Sequence, residues 1–437
     1  MVERGVADGL VPLPRKRGAP PMKGRAVDVR ALAEVQAALG EEPRRRDLLI
    51  EHLHRLQMRF GALFERHLVA LAAEMKLAMA EVYEVATFYA RFDVIPDGET
   101  APPPITVRVC ESLPCAMAGS AALYDSLRQS CSQPDALARG WGSGGEAPGN
   151  HSVRVLKGPC IGRCATAPSV EVNEARVDHA TLDAVIDAAA MRPVRATIPR
   201  YIAYGDYVQE GGYRLLRECL DGRHDPVALI ETMEQSGLRG LGGAGFPVGR
   251  KWKTVRAEAG PRLMALNADE GEPGTFKDRH CFERDPHRVL EGMLVAAWVV
   301  DAPDVYLYLR DEYPAVREIL EAELHKLRVA ELDRKTKIHL RRGAGAYICG
   351  EESAMLESIE GKRGYPRHKP PFPAQVGLFG RPTLIQNVET MFWVREIVER
   401  GPGWWPSLGR NGRTGQRFFS LSGRVKKPGV HLAPARE

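Results

Sequence analysis

Four cysteines stand in two close pairs, Cys110 and Cys115 in VRVCESLPCAMAG and Cys160 and Cys164 in LKGPCIGRCATAP. Thiolates spaced C-x4-C and C-x3-C, two to each iron, suit a [2Fe–2S] cluster and hence single-electron transfer. A structural zinc site uses the same four ligands, though its pairs are often C-x2-C. Buried thiols or disulfides are the third alternative. A second chemical signal is GLRGLGGAGFP (237–247), with five glycines in nine residues. It contains a formal G-x-G-x-x-G at 240–245, but that motif must follow a strand and open a helix. ALIETMEQSG, just before it, reads as a helix ending at Gly237. No Gly-Lys-Ser/Thr closes a P-loop either. What remains is backbone free of Cβ atoms at Gly240, Gly242 and Gly243, able to approach a flat or anionic ligand. Lys251 adds a charge for a phosphate. A flexible hinge is the competing reading.

Two acidic stretches accompany the glycines. NADEGEPGTFKDR sets Asn267, Asp269, Glu270 and Glu272 directly after the apolar run LMAL, and GAGAYICGEES sets Tyr347, Gly350, Glu351 and Glu352 after KIHLRR. Open α/β sheets bind ligands at the carboxyl ends of their strands. Carboxylates there accept hydrogen bonds from ribityl or ribose hydroxyls. Mg²⁺ or Ca²⁺ is the alternative ligand, and solvated surface charge the bland one. In HKPPFPAQVGLFGRPTLIQNVET, Phe372 is placed to stack on a planar ring and Asn387 to bond its edge. That segment is too rich in Pro and Gly to be regular structure, and its residues read equally well as loop scaffold.

The elements that must position these residues follow from periodicity. Leu49, Leu53, Leu56 and Phe60, then Leu68, Leu71 and Met75, recur at helical steps, so residues 28–98 read as a helical bundle of three or four elements broken at Gly61 and near Lys76. Asp97-Gly98 and Pro102 to Pro104 mark a boundary. Residues 103–192 read as a compact α/β domain: ITVRVC, a helix over SAALYDSLRQSC, a Gly/Ser-rich loop RGWGSGGEAPGNH, the strands SVRVLK and SVEVN, and a helix over ATLDAVIDAAA. Residues 193–422 alternate helices with the strands LMALN, DVYLYLR and KIHLRR, which implies an open, largely parallel α/β sheet.

At 437 residues, 44% hydrophobic and 27% charged, the chain has room for two or three globular domains, each with its own core. The net charge of +5 is concentrated at the start, where Arg4, Arg15, Lys16, Arg17, Lys23 and Arg25 face only Glu3 and Asp8. Residues 1–27 therefore read as a disordered basic tail, a solvated or partner-docking arm before a nucleic-acid binder. No apolar run approaches the ~18 residues of a membrane span. With no apolar signal core either, a reducing cytoplasm is expected, which favours metal over disulfide.

Taken together, these motifs resemble the flavin-bearing, NADH-oxidising module of respiratory complex I and its relatives, over about residues 30–437. LIEHLHRLQMRFG, EVYEVATFYARF and the two cysteine pairs are similar to the 24-kDa-type subunit, a helical bundle plus a thioredoxin-like [2Fe–2S] domain. GLRGLGGAGFPVGRKW, NADEGEPGTFKDR, GAGAYICGEES and GRPTLIQNVET are similar to the 51-kDa-type subunit. Both in one chain, with TFKDRHCFERDPHRVLEGM, resemble most the β (diaphorase) subunits of NAD-dependent formate dehydrogenases; NAD-reducing hydrogenase or quinone-linked subunits are the alternative, and a partner-docking scaffold is the non-catalytic one.

The resemblance implies a fold, cofactors and partners. The cluster ligands are Cys110, Cys115, Cys160 and Cys164. FMN lies against Gly240 and Gly242, with Lys251 near its phosphate and Asn267, Asp269, Glu270, Gly350, Glu351 and Asn387 around it. NAD(H) uses Gly243, Ala244, Phe246, Glu272, Tyr347, Glu352 and Phe372, with Glu272 and Glu352 positioning. Catalysis is then alignment for hydride transfer rather than acid–base work. The implied partner is a formate dehydrogenase α subunit carrying molybdopterin and iron–sulfur clusters. Leu241 and Gln386 depart from the usual Arg and Asn. Residues 423–437 read as the start of a truncated ubiquitin-like domain, and the family's [4Fe–4S] ligands are absent; Cys131, Cys219, Cys281 and Cys349 read as structural thiols.

Overall fold

The computed structural model describes residues 25–131, 153–192 and 195–435. Most of the basic stretch and the Gly/Ser-rich segment lie outside the described residues. The chain begins with α1 (Val29–Leu39), whose cap Asp28 accepts the Ala31 N–H at 2.8 Å. Then come α2 (Leu49–Phe60), β1 (Leu63–Phe64), α3 (Glu65–Met75), α4 (Met79–Phe88) and β2 (Val94–Ile95). Gly61 ends α2 at φ 78° and Lys76 ends α3 at φ 56°, both left-handed caps at the places where the periodicity breaks.

The bundle does not close a core of its own, contrary to the expectation of separate cores. Leu49, Leu53, Leu56, Leu68 and Leu71 share one apolar cluster with Leu263, Ala265, Tyr306 and Met355 of the later sheet. Polar ties hold the same interface. His54 Nε2 lies 2.9 Å from Gly343 O, and Tyr89 Oη donates to Lys362 O at 2.8 Å. An amphipathic stripe tells which side of a helix is buried, not which partner covers it.

Next come β3 (Ile105–Cys110), α5 (Leu113–Met117), α6 (Ser120–Cys131), β4 (Val153–Gly158), β5 (Val170–Val172), β6 (Ala175–Val177) and α7 (Leu182–Ala190). Their sheet has the order β4-β3-β5-β6, with β3 and β4 parallel and the other pairs antiparallel. Helix α5 and strand β6 go beyond the sequence reading, since both are too short to show a period.

The remainder opens with α8 (Tyr204–Gln209), α9 (Arg214–Leu220), α10 (Pro226–Ser236) and α11 (Val248–Ala257). The central run is β7 (Leu263–Ala268), α12 (Lys277–Arg284), α13 (Pro286–Val300), β8 (Asp304–Leu309), α14 (Pro314–Val329), β9 (Lys337–Arg342) and α15 (Glu352–Ile359). The chain closes with β10 (Thr383–Asn387), α16 (Val388–Phe392), α17 (Val394–Arg400), α18 (Trp404–Ser407), β11 (Gln416–Leu421) and β12 (Gly429–Pro434).

Strands β10-β7-β8-β9 form one parallel sheet in that order. Helix α13 packs one face among Met264, Leu266, Val305 and Leu307, and the bundle with α15 covers the other. Strand β10 and helix α16 correct the reading of HKPPFPAQVGLFGRPTLIQNVET as wholly irregular. Its Pro and Gly all precede Thr383; Thr383, Leu384, Ile385 and Gln386 are buried, and Asn387 caps α16 by accepting the Glu389 N–H at 3.1 Å.

Candidate active site: a glycine-walled cleft beside four thiols

The chain runs β7, β8, β9 outward and returns to β10 on the opposite side of β7. The sheet order therefore reverses between β10 and β7, where a crevice opens beyond the carboxyl ends of the strands. A cleft of about 560 Å³ occupies that position. The glycine loop before α11 forms one wall, the 269–278 loop and the start of α12 the floor, and the 347–351 turn the other wall.

The structure brings Gly242, Gly243, Asn267, Asp269, Glu270, Glu272, Tyr347, Gly350, Glu351 and Asn387 into the lining of this cleft. Gly240, Ala244, Phe246, Lys251, Glu352 and Phe372 are not in the lining. Gly240 closes the glycine loop from behind, its N–H donating to Phe246 O at 2.9 Å. Ala244 and Phe246 lie on the loop's outer side, with the Phe246 ring exposed. Lys251 is partly buried and donates to Ile385 O at 2.9 Å; burial lowers its pKa against the pull of Glu352. Glu352 pairs with Lys369 at 2.7 Å, and Phe372 stands exposed in the Pro-rich loop.

Side-chain poverty shapes the cleft. A Cβ on Gly242 lands 3.0 Å from Asn387 Cβ, and one on Gly350 lands 3.1 Å from Asp269 O. Gly243, at φ 120°, has no atom within 4 Å of a Cβ position, so its backbone faces open space. A wall of this kind accepts a flat ring edge against backbone.

The polar groups are largely pre-tied, which fixes their geometry. Asn267 donates to Gly350 O at 2.9 Å and accepts the Asp269 N–H at 3.0 Å, locking the 347–350 turn to the end of β7. Asn387 donates to Asp278 Oδ2 at 2.6 Å. The Glu270 carboxylate accepts the N–H groups of Asp278 at 3.0 Å and Arg279 at 3.2 Å at the start of α12, and the Tyr313 hydroxyl at 3.1 Å. Its oxygens are thus engaged within the protein. Burial lifts the Asp269 carboxyl to about 7 despite Arg310, and burial followed by Asp278 pushes Glu270 up as well. Tyr347 donates its hydroxyl to Glu272 at the mouth of the cleft.

Sequence reasoning missed several lining residues: Leu241 stood out only as a departure from the family pattern, and Gly271, Thr275, Lys277, Asp278 and Ile348 carried no separate signal. Lys277 is the most telling. Its ammonium reaches Asp278 Oδ1 at 2.7 Å and Glu389 Oε2 at 3.1 Å. Burial opposes that charge, but the two carboxylates outweigh it and hold the amine protonated. A basic and an acidic residue side by side after the acidic loop, in TFKDR, were the available clue.

The four cysteines are all buried and free of disulfides. Cys160 Sγ lies 3.3 Å from Cys164 Sγ, and Cys110 Sγ lies 3.1 Å from Ser112 Oγ. The Gly162 N–H points at Cys160 Sγ at 3.4 Å. Hydrogen bonds among the thiols push Cys110 and Cys164 up and pull Cys115 and Cys160 down, so within each pair one thiol donates to the other's sulfur. Among the described residues no group of three or more His, Cys, Asp or Glu is arranged to hold a lone metal ion. Two thiol pairs with amide donors aimed at sulfur fit the four-cysteine ligation of a two-iron cluster. A further donor crosses from the cleft itself: the Gly274 N–H reaches Cys164 Sγ at 3.3 Å.

Comparison with known proteins agrees with both halves. Residues 35–190 match the thioredoxin-like [2Fe-2S] ferredoxin family, and residues 233–396 match the Nuo51 FMN-binding domain. An NADH-quinone oxidoreductase component from Rhizobium meliloti is 48% identical over 237 residues, covering 52% of this chain and 56% of that protein. The chain therefore spans little more than half the length of such relatives. The NAD-reducing hydrogenase HoxS subunit alpha of Cupriavidus necator is 34% identical over 421 residues, covering 88% of this chain and 67% of that one. The crystal structure of an air-oxidized NAD+-reducing [NiFe]-hydrogenase superposes with a TM-score of 0.74 at 33% identity, over 90% of this chain and 68% of that one. Thioredoxin-like [2Fe–2S] and FMN-binding domains joined in this order, matched along nearly the whole chain, show that it belongs to the family of fused iron–sulfur flavoprotein subunits that includes HoxS subunit alpha.

Proposed function

We propose that this chain handles NAD(H) at a flavin and exchanges single electrons through its [2Fe–2S] cluster, as the diaphorase subunit of a larger enzyme. The observation that carries the reading is the placing of one loop. Residues 269–278 floor the glycine-walled cleft, and within them Gly274 reaches a cluster cysteine. When bound, FMN supplies the conversion between two-electron hydride chemistry and one-electron steps.

The protein's own residues bind and align. Gly242, Gly243 and Gly350 offer side-chain-free wall, while Asn267 and Asn387 hold neighbouring groups in place. Lys277, kept protonated by Asp278 and Glu389, would offer an N–H donor to a flavin bound in the cleft. Glu272 and Tyr347, bonded to each other at the mouth, are placed to meet the nicotinamide nucleotide. The remaining residues assigned by resemblance, Gly240, Ala244, Phe246, Lys251, Glu352 and Phe372, border the cleft from outside its lining and serve in this reading as support or as contacts of a longer ligand. Purified anaerobically, the chain is expected to reduce ferricyanide with NADH. Bound flavin with no such activity refutes the reading.

For the electron partner we favour a formate-oxidising α subunit with molybdopterin, in a cytoplasmic complex, on the likeness of TFKDRHCFERDPHRVLEGM and RGAGAYICGEESAMLESIEGKRG to formate dehydrogenase β subunits. Among the described residues no helix is long and apolar enough to cross a membrane. The match to a hydrogenase subunit over 88% of this chain supports the second reading, a nickel–iron partner. Co-expression with each candidate partner separates them. Formate-driven NAD⁺ reduction supports the first, hydrogen-driven reduction the second.

A further inference from the structure

The cluster loop at Cys160 and Gly162 lies against the loop that floors the cleft, and one side chain joins the two. Arg310, just after β8, is almost wholly buried. Its Nη2 donates to Cys160 O at 2.6 Å, its Nη1 donates to Glu270 O, and its Nε donates to Glu312 Oε2 at 3.1 Å. One planar fork therefore spans the backbone of a cluster ligand and the backbone of a cleft residue. Glu312 anchors the far side: its Oε1 lies 3.7 Å from Arg91 of the bundle connection, and its carbonyl accepts from Arg176 of β6 at 2.7 Å.

Three further contacts press the loops together. Arg279 Nε donates to Gly162 O at 3.1 Å, the Gly274 N–H reaches Cys164 Sγ at 3.3 Å, and Phe276 packs against Cys160 and Cys164. Gly162 is obligatory here, because a Cβ falls 2.6 Å from the Tyr313 ring. Buried arginines that donate to two carbonyls at once are rigid struts, since the guanidinium is planar and always charged. A strut at this point fixes two things: the separation of cluster and flavin, and the N–H···S bond from Gly274.

We propose that Arg310 is a positioning residue that clamps the cluster loop to the cleft floor, setting the cluster's reduction potential and its access to electrons from the flavin. With both groups bound, the step Arg310 would serve is a one-electron transfer, in which the reduced flavin would give up one electron and one ferric iron of the cluster would take it up. Hydrogen bonds to cluster sulfurs and nearby positive charge both favour the reduced form. The inference rests on the flavin lying in the glycine-walled cleft.

The test uses full-length protein loaded with FMN and cluster, in wild-type form and as R310Q, R310K and R279Q. Potentiometric titration reads the cluster's midpoint, and rapid-mix spectroscopy after NADH reads cluster reduction relative to flavin reduction. R310Q is expected to move the midpoint to more negative values and to slow cluster reduction relative to flavin reduction by about tenfold or more. R310K keeps the charge but lacks the fork, so its midpoint recovers in part while the slow ratio persists. An R310Q protein with wild-type midpoint and wild-type ratio overturns the proposal, and so does an R310K protein indistinguishable from wild type. Should R310Q fail to load a cluster, R279Q carries the test: a smaller negative shift supports it and an unchanged midpoint overturns it. Wild-type protein whose flavin NADH does not bleach refutes the reading of the cleft instead.

Discussion

Replacing Gly242 by alanine adds one methyl group to the glycine wall of the cleft. Its Cβ falls 3.0 Å from Asn387 Cβ, 3.3 Å from Cγ and 3.5 Å from Nδ2. Asn387 cannot readily retreat, because its amide holds Asp278 at 2.6 Å and its oxygen caps α16 at the Glu389 N–H, 3.1 Å away. Overpacking against an anchored neighbour costs about 1–3 kcal/mol. If relief comes by displacing the glycine loop into the cleft, that cost appears as lost flavin affinity of about 5- to 150-fold, at ~1.4 kcal/mol per decade. Titration of FMN into apoprotein, followed by quenching of flavin fluorescence, measures it. Gly205→Ala in α8 is the control, since its Cβ meets nothing within 4 Å and its affinity is expected to stay at the wild-type value. A G242A protein that binds FMN within about twofold of wild type, well inside the range set by overpacking, refutes the placing of the flavin against this wall.

Other perturbations follow from the same geometry. Lys277→Met strands two buried carboxylates, Asp278 and Glu389, at a cost of about 3–5 kcal/mol by the usual penalty for breaking a buried pair; chemical denaturation with an unchanged midpoint contradicts it. Asp269 titrates near 7 in the fold, above its ordinary 3.8, so the folded state binds the extra proton between those values. Asp269's own contribution to stability is therefore expected to fall as pH rises from about 4 to 7, and D269N is expected to remove that part of the slope in melting curves. Cys115→Ser is expected to lower bound iron and bleach the cluster's visible bands, because each iron needs two thiolates; full iron content in the variant would remove Cys115 from the ligand set.

Local features were legible in the residues alone. Gly61 and Gly237 end helices in left-handed conformation, and LMAL, DVYLYL and KIHLRR are parallel strands. The cysteine spacing alone suits a two-iron cluster and the acidic loops a polyol-bearing ligand, and the chain matches the [2Fe-2S] and FMN-binding families over those residues. What stayed hidden depends on contacts distant in sequence. The stripe of Leu49, Leu53 and Leu56 gave no hint that its cover is the sheet around Leu263 and Tyr306. Strand β10 was masked by the prolines and glycines that precede it, although most of its own residues are apolar or hydrogen-bonded. Lys251 stands close to the glycine loop in sequence, and only the fold shows that its amine also donates to Ile385 O on β10. Arg310 sits at an ordinary strand end, and only the tertiary fold shows both loops it grips.

The most direct test of the account is an anaerobic NADH titration of the reconstituted chain, followed by visible absorbance and electron paramagnetic resonance together. The account expects flavin absorbance to bleach and a paramagnetic reduced cluster to appear as NADH is added. Thiols that hold zinc in place of iron, or a bound flavin that stays oxidised under excess NADH, would contradict it.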